Sequence, residues 1–331
     1  GISDAPPARY KRTGTEPPDA LQMIIGMTAP VCTTIAAWYE KWALSQVFWL
    51  AMVVVLVTFA VSRFLSPGAE RRSPISFIWV PLSLLMGITG SVLIAVAGIR
   101  GEGYFWLHDL GRLVLLQGMF IGLVVGVGGM VLPLLTRGDA PGDMTGTSRD
   151  LRAVALHLAA ALVLIASFWI ENSVHQRAGL AMRALLVLSM LLISGKIWRV
   201  PSVSGWHRWL VWISAWMIPA GYTLAALFPL EVKAGLHVVF IGGFALMAFS
   251  VGLHVTLAHG GYQREVKGRP WQVAVYGALF LSAMILRAAA DFDRPRFFVW
   301  LASAAALFLA GTIIWGMLLL PKLLRAPGPA A

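Results

Sequence analysis

Three of the chain's seven histidines lie in one apolar stretch of helix length, residues 235–261. Imidazole binds metals and exchanges protons near neutral pH, and ionisable side chains inside a membrane-grade helix are functional candidates. His237 and His254 would lie about 25 Å apart along a regular helix, too far to share one metal ion. His259 follows His254 by about 7 Å of rise and about 140° of rotation, so a shared ion would require a break in the helix. The two glycines after His259 predict that the helix ends there.

His157 and His254 are predicted at similar depth near the same membrane face, on two different spans. Two neutral imidazoles that face each other across a helical bundle can hold a b-type haem, so both are candidate haem ligands. The alternative is that each hydrogen-bonds a backbone carbonyl near the end of its span. His254 and His259 are also candidate metal ligands at this face. We expect His207 to lie in a basic loop at the edge of its span and to bind neither haem nor copper.

The opposite face combines His237 with His108 as candidate metal ligands, and His175 there is expected to be solvated. Imidazoles without a thiolate suit copper, or a haem iron with one neighbouring metal. Arginines slightly inside a span are costly unless they are paired, and haem propionates are suitable bidentate acceptors. Snorkelling of the arginines to the lipid headgroups is the alternative. The candidate propionate partners are Arg112, Arg183 and Arg287.

The elements that position these side chains are predicted membrane spans. Of the 331 residues, 58% are hydrophobic and 12% are charged, and the apolar residues form long blocks. A block of about 18 apolar residues or more can cross the hydrocarbon core as a helix. We therefore predict an all-α, polytopic transmembrane helix bundle. Its nine spans are 44–64, 76–98, 111–135, 153–171, 179–198, 207–228, 235–257, 270–290 and 297–320, and a tenth is predicted at 21–39.

The spans are assigned to one transmembrane domain, residues 21–325, after an irregular polar tail, residues 1–20. Lys and Arg concentrate in loops on one face, which the positive-inside rule makes cytoplasmic. The formal net charge of +11 therefore does not indicate nucleic-acid binding. We expect a multi-pass protein of the bacterial inner membrane. The single cysteine, Cys32, excludes an internal disulfide, and a start at Gly1 is consistent with a longer gene product.

Gly118, Gly122 and Gly126 form a stripe at a spacing of four residues on one helix face. Small residues at this spacing let another helix, or a flat macrocycle, approach the backbone closely. We interpret the stripe as a helix-packing surface. No phosphate-binding glycine loop or nucleophile elbow occurs in the sequence, which argues against ATP-driven transport and hydrolase chemistry.

Five residues of the His237 helix fall in register with a known family pattern: His237, Gly242, Met247, His259 and Gly261. With its flanking spans, the run from Trp198 to about Ala290 resembles the NnrS family, the multi-span haem- and copper-binding membrane proteins of the bacterial nitric oxide response. His254 stands where the family has an arginine, so it either adds a ligand or replaces a cation. The family's His-Ala-His-Glu-Met type of motif is absent from the sequence. Either N-terminal spans are missing or this branch uses a different site.

The resemblance implies b-type haem, leaves copper open, and implies a role in nitric oxide tolerance. Ferrous haem with an open axial position binds nitric oxide, which gives that role a chemical basis. Two other functions stay open: an electron-transferring b-haem subunit of a larger complex, and a multi-span permease. The expected partners are the lipid bilayer, nitric oxide, and either further copies of the chain or other membrane subunits. Whether the protein turns nitric oxide over is left open.

Overall fold

The computed structural model describes residues 20–64, 73–140 and 150–324, so almost all of the predicted tail lies outside the described residues. The predicted all-α class is confirmed. Long helices alternate with short connections throughout the described ranges. The α-helices are α1 (Ala20–Trp38), α2 (Trp42–Phe64), α3 (Trp79–Arg100), α4 (Phe105–Leu113), α5 (Met119–Arg137), α6 (Leu151–Ser173), α7 (Gln176–Ile193), α8 (Trp206–Leu227), α9 (Val232–His237), α10 (Leu246–His259), α11 (Gln263–Lys267), α12 (Trp271–Phe292) and α13 (Phe297–Leu324).

Nine helical runs within the described residues are long and apolar enough to cross a membrane. They are Ala20–Trp38, Ile75–Arg100, Glu102–Arg137, Leu151–Ser173, Gln176–Ile193, Trp206–Leu227, Pro229–His259, Trp271–Phe292 and Arg294–Leu323. The tenth predicted span, 21–39, is among them as α1. The span predicted at 44–64 corresponds to α2, a helix of 23 residues. The chain is therefore a multi-pass membrane protein, as predicted.

Two of these runs contain π-helical turns, which the sequence pattern did not predict. They are Val114–Gly118, between α4 and α5, and Val238–Ala245, between α9 and α10. A π-helix bonds residue i to residue i+5, and such turns occur frequently at functional sites. Wider turns change the rotation of every residue that follows. His237 is the residue that immediately precedes the second π-helical segment.

The chain forms two compact units, residues 1–73 with 88–112, and residues 74–87 with 113–331. In the first unit α1 packs on α2. The second unit contains α5 to α13 together with residues 74–87, and it holds every candidate ligand or propionate partner except His108 and Arg112. The single domain over 21–325 stays a prediction.

The second unit is arranged around α8, which packs on α7, α9, α10 and the second π-helical segment. Glycines allow this close approach. A Cβ atom at Gly221 of α8 would lie 2.7 Å from the carbonyl oxygen of Gly235. A Cβ atom at Gly243 would lie 2.5 Å from Cγ1 of Ile218. These contacts hold the run that carries His237 directly against α8.

The segment that follows α10 contacts the end of α13. Gly261 has a φ of +79°, a left-handed conformation that suits glycine and ends the helix, as the sequence predicted. Beyond it, Nζ of Lys322 lies 2.9 Å from Oε1 of Glu265 and 4.4 Å from the ring centroid of Tyr262. The hydrogen bond from Lys322 lowers the pKa of the Glu265 carboxyl below its ordinary value. The last turn of α10 is thus anchored to the end of α13.

The glycine stripe of the 111–135 span is a helix-packing surface, as predicted. Gly118 faces Phe168 of α6, and Gly122 faces the side chain of Ser83 in α3. A Cβ atom at Gly126 would lie 2.9 Å from Cβ of Trp79. Both partners in α3 belong to the same unit as the stripe.

We expect Gly126→Ala to lower the free energy of unfolding by about 1–3 kcal/mol, because the added methyl would overpack a filled contact. Cβ of Trp79 is fixed to its backbone and cannot rotate away. Gly252→Ala is the matched control, since a Cβ atom there meets only Cζ2 of Trp315, at 3.9 Å. Thermal unfolding in detergent checks the pair of variants. A Gly126→Ala protein as stable as the control would contradict the packing role.

Candidate functional site

Two histidine rings meet where α8 begins and α10 ends. Nε2 of His207 lies 3.1 Å from Nδ1 of His254, and the ring centroids are 5.1 Å apart. His207 lies in the first turn of α8, and only 1% of its surface is exposed. His254 lies in the last turns of α10 and is partly buried. The antiparallel course of the two helices brings these residues together although they are 47 positions apart.

The expectation that His207 lies in a basic loop is wrong. The loop ends at Gly205, whose φ of +138° suits glycine, and α8 begins with Trp206. Arg208 is buried as well, and its Nη1 donates a hydrogen bond to the Leu135 carbonyl oxygen of α5. His207 and Arg208 therefore belong to a packed helix start, whereas Lys196 and Arg199 lie in the connection before it.

Two imidazole nitrogens 3.1 Å apart can share one hydrogen bond or bind one metal ion together. Metal–imidazole bonds are about 2.0–2.1 Å long for zinc, so two nitrogens on one ion at a bent angle are roughly 3 to 3.5 Å apart. Nitrogens on opposite sides of a haem iron would be about 4 Å apart, twice that bond length. The pair in this structure therefore fits a single bound ion better than the two axial positions of one haem.

Other groups around the pair limit which ion it could hold. Arg208 places a permanent positive charge next to His254, which opposes a doubly charged ion more than a singly charged one. His259 lies one turn further along α10, is exposed, and has its Nδ1 2.9 Å from the Val255 carbonyl oxygen. Within the described ranges, no three His, Cys, Asp or Glu side chains converge into a metal cluster. An ion bound at the pair would therefore have two nitrogen ligands from the described side chains.

The geometry of His237 presents one ring nitrogen as a ligand. Its Nδ1 lies 2.6 Å from the carbonyl oxygen of Lys233. A carbonyl oxygen can only accept, so Nδ1 carries the proton and Nε2 carries a lone pair. Histidines that bind metals usually donate the other ring N–H in this way to a carboxylate or a backbone carbonyl. Of the candidate histidines, His237 and His259 have this arrangement.

An ion pair on α12 lies near His237. Nη1 of Arg287 is 3.2 Å from Oδ2 of Asp291, and both groups act electrostatically on the His237 ring. The guanidinium also lies 5.7 Å from the centroid of the Phe297 ring. Its side chain is 11% exposed, so the guanidinium is largely enclosed by protein groups. Arg287 keeps further N–H donors, and its contact with a propionate stays a prediction.

His157 does not have the hydrogen-bonding pattern of a metal ligand. Nε1 of Trp79 lies 2.8 Å from Nδ1 of His157. An indole N–H can only donate, so Nδ1 accepts and the proton of the neutral ring is on Nε2. A metal bound at Nε2 would require the opposite tautomer. The structure therefore gives no support to the expected haem pair of His157 and His254, and His254 instead meets His207.

Arg183 is fully buried and all its nitrogens have protein partners. Nη2 lies 2.6 Å from Oε2 of Glu171, Nη1 lies 2.7 Å from Oε1 of Gln117, and Nε lies 3.3 Å from Oγ of Ser167. The guanidinium carbon is 4.1 Å from the centroid of the Phe168 ring. Snorkelling is excluded by this burial. Three of its five N–H donors bind protein groups, and the fully buried side chain leaves no surface open to a propionate.

His108 and Arg112 belong to the first unit. The His108 ring lies edge-on to Trp42, with centroids 4.8 Å apart, and its Nδ1 is 3.9 Å from Oδ1 of Asp109. Arg112 is 3.6 Å from the same carboxylate, and its side chain is 58% exposed. Their roles as a metal ligand and a propionate partner stay predictions.

Comparison with known proteins decides the family. The family model described as NnrS protein matches residues 8–326, which is nearly the whole chain. The chain belongs to the NnrS family. It is accordingly a membrane protein related to the nitric oxide response. No curated protein matches it, and no solved structure matches it.

The order of the predicted spans in this NnrS-family protein indicates the histidine pair, whereas the predicted membrane depth of each histidine does not. His207 opens one predicted span and His254 lies near the end of the following one, so an antiparallel arrangement puts them at the same depth. Depth alone selects His157 as the partner of His254, because His157 is also near that face. The choice between the two partners depends on which helices are neighbours, and α8 packs on α10.

Proposed function

We propose that this NnrS-family protein binds b-type haem through His237 and supports nitric oxide tolerance in the bacterial inner membrane. The observation that carries the proposal is the hydrogen bond from Nδ1 of His237 to the Lys233 carbonyl oxygen. It fixes the tautomer and orients the ring so that Nε2 is offered as a ligand. When bound, ferrous haem supplies an iron that takes up nitric oxide at an open axial position.

Arg287 and the π-helical turns support the same location. Arg287 is held beside His237 by its ion pair with Asp291, so a cationic donor is available to the carboxylates of the haem. The π-helical segment Val238–Ala245 begins next to His237, where such turns are common in functional sites. Both features are on the two helical runs that pack together in the second unit.

We further propose that copper binds at the His207–His254 pair. The pair provides two buried or partly buried imidazole nitrogens at 3.1 Å, and imidazole is a suitable copper ligand. The neighbouring Arg208 favours the singly charged cuprous ion over the cupric ion, since repulsion grows with the charge of the metal. Haem and copper would then occupy different sites, as the long separation of His237 and His254 along one helical run requires.

The alternative functions receive less support. A permease for a polar solute needs polar groups along its path, whereas the glycine stripe of α5 is filled by side chains of α3 and α6. An electron-transferring haem subunit needs two axial protein ligands on its iron. The charged groups that act on His237 in the described part of the chain are Arg287, Asp291 and Lys233, and none of them is a second histidine.

The absorbance spectrum of the protein, purified in detergent after expression with ample haem supply, tests this proposal. We expect a Soret band, a shift of that band when nitric oxide is added to the reduced protein, and copper in metal analysis. A protein without a Soret band would overturn haem binding. A Soret band unmoved by nitric oxide would instead favour the electron carrier.

A further inference from the structure

An apolar cleft of about 310 Å³ opens between α5 and α10 in the second unit. Its lining residues on α5 recur every three or four positions and form one face of the helix. A second stripe on the other side comes from the end of the π-helical segment and from α10. The lining residues are Phe120, Leu123, Val124, Val127, Gly128, Val131, Leu132, Val211, Phe244, Met247, Ala248 and Val251.

One end of the cleft adjoins the histidine pair. Val211 is four residues after His207 on α8, and Val251 is three residues before His254 on α10. Side chains at these spacings are neighbours on a helix surface. The α5 stripe leads to the same place, because one turn after Leu132 the helix reaches the carbonyl that binds Arg208. On each of these three helices, the lining of the cleft therefore ends about one turn from the histidine pair or from the carbonyl that binds Arg208.

The lining determines what the cleft can hold. Its side chains are hydrocarbon, aromatic or thioether groups, none of which hydrogen-bonds strongly. An ion, a polar solute or the carbonyls of a quinone would lose hydrogen bonds with water and gain none here. Apolar cavities of about 150 Å³ remain dry and bind xenon or benzene. A cleft of this composition therefore suits a small uncharged molecule that already dissolves in hydrocarbon.

Access to the cleft is from the bilayer side. Phe120 is 38% exposed and Ala248 is exposed, whereas Gly128, Leu132 and Val211 are buried. In a membrane-spanning helix, an exposed apolar side chain faces lipid. The cleft thus runs from a lipid-facing rim to a buried floor beside the histidine pair.

We propose that this cleft takes up a small uncharged gas, nitric oxide, from the hydrocarbon layer and leads it to the His207–His254 pair. The identity of the gas rests on the proposed function, whereas the existence of a gas site does not. A hydrocarbon chain of a lipid would also fit the lining, but the pair at the inner end offers it no chemistry. A metal held by the pair would bind a diatomic ligand.

Xenon is the probe for the site, because it needs no metal and no reaction. The protein without haem or copper is placed in lipid nanodiscs with ¹³C-labelled valine and methionine methyl groups. We expect xenon pressure to shift the methyl resonances of Val251 and Met247 in a saturable way. Methyl groups far from the cleft should shift only linearly with pressure.

Gly128→Leu is the variant that fills the cleft. A Cβ atom at Gly128 makes only ordinary contacts, the closest with Cδ1 of Leu132 at 3.4 Å, so the new side chain extends into the cleft. Gly252→Leu is the matched control, since Gly252 is on α10, has room for a Cβ atom and does not line the cleft. We expect the saturable xenon shift to disappear in the first variant and to persist in the second. If Gly128→Leu does not fold, Ala248→Leu narrows the cleft at its rim from the opposite wall, and we expect it to weaken the saturable xenon shift.

The outcomes separate the proposals from each other. An unchanged xenon response in a folded Gly128→Leu protein, or no saturable response in the wild type, would overturn the gas site. Nuclear Overhauser contacts from lipid chains to the Val251 methyls, without a xenon response, would overturn it in favour of a lipid occupant. Failure of the proposed copper site would show instead as unchanged copper content in His207→Ala, while the xenon response stays intact.

Discussion

Replacing His237 with alanine is expected to remove haem from the protein while leaving its folding and membrane insertion intact. Nε2 of His237 is the proposed iron ligand, and no other ring nitrogen in α9 can replace it. One imidazole among many apolar residues contributes little to insertion. If His237 only hydrogen-bonded the Lys233 carbonyl, the variant would keep its haem and lose about 1–3 kcal/mol of stability. The haem-to-protein ratio, measured as the pyridine haemochrome, decides between these results.

His175→Asn is the matched control for this experiment. His175 is an exposed histidine that caps α7, and its Nδ1 accepts a hydrogen bond from the backbone N–H of Ala178 at 3.3 Å. Asparagine keeps a capping acceptor, so stability should change little. The control protein should retain its full haem content. A full complement of haem in the His237→Ala protein would sink the ligand assignment and the larger part of the proposed function.

The helical spans of this protein were predictable because the bilayer restricts the chain so strongly. An apolar run in lipid must satisfy its backbone internally, which leaves the helix as the conformation of an isolated span. The pattern therefore located α6, α8 and α12 to within a few residues. It also identified α1 in spite of Pro30, whose carbonyl accepts a hydrogen bond from the hydroxyl of Thr34 at 2.9 Å.

Rotation about the helix axis was less predictable than position along it. A regular helix would put His237 and His259 on nearly the same face, but the π-helical segment between them has a different number of residues per turn. Hydropathy is insensitive to this change because Val238–Ala245 is apolar on all sides. The side of the helix on which His237 lies is therefore known from the structure and could not be derived from the spacing of the histidines.

The site residues were predictable as types, and their partners were not. The membrane depth predicted from the sequence placed His157 and His254 near one face. In the structure, Trp79 donates a hydrogen bond to His157, and His207 contacts His254. Neighbouring helices decide such partners, and composition contains little information on which helices are neighbours. The same limitation hid the partners of Arg183, which come from different helical runs.

Arg183→Met is expected to lower the free energy of unfolding by about 3–5 kcal/mol, because it leaves the charge of Glu171 buried without a partner. The Arg183 side chain is fully buried, and that of Glu171 is 8% exposed, so water cannot replace the lost contact. Methionine has a similar length and avoids a large cavity. Equilibrium unfolding in mixed micelles measures the change. Arg112→Met is the control, since its exposed contact with Asp109 is worth only about 0–1 kcal/mol.

The double variant Arg183→Met/Glu171→Met distinguishes an unpaired charge from lost packing. Removing both charges of a buried pair is often neutral, so we expect the double variant to recover most of the stability lost in Arg183→Met. Equal losses in the single and double variants would mean that the guanidinium matters through its packing on Phe168. Haem content provides a second measurement on the same proteins. Because protein groups occupy the nitrogens of Arg183, the folded fraction of each variant should keep its haem, and haem loss from a folded Arg183→Met protein would instead restore the propionate contact that the sequence suggested.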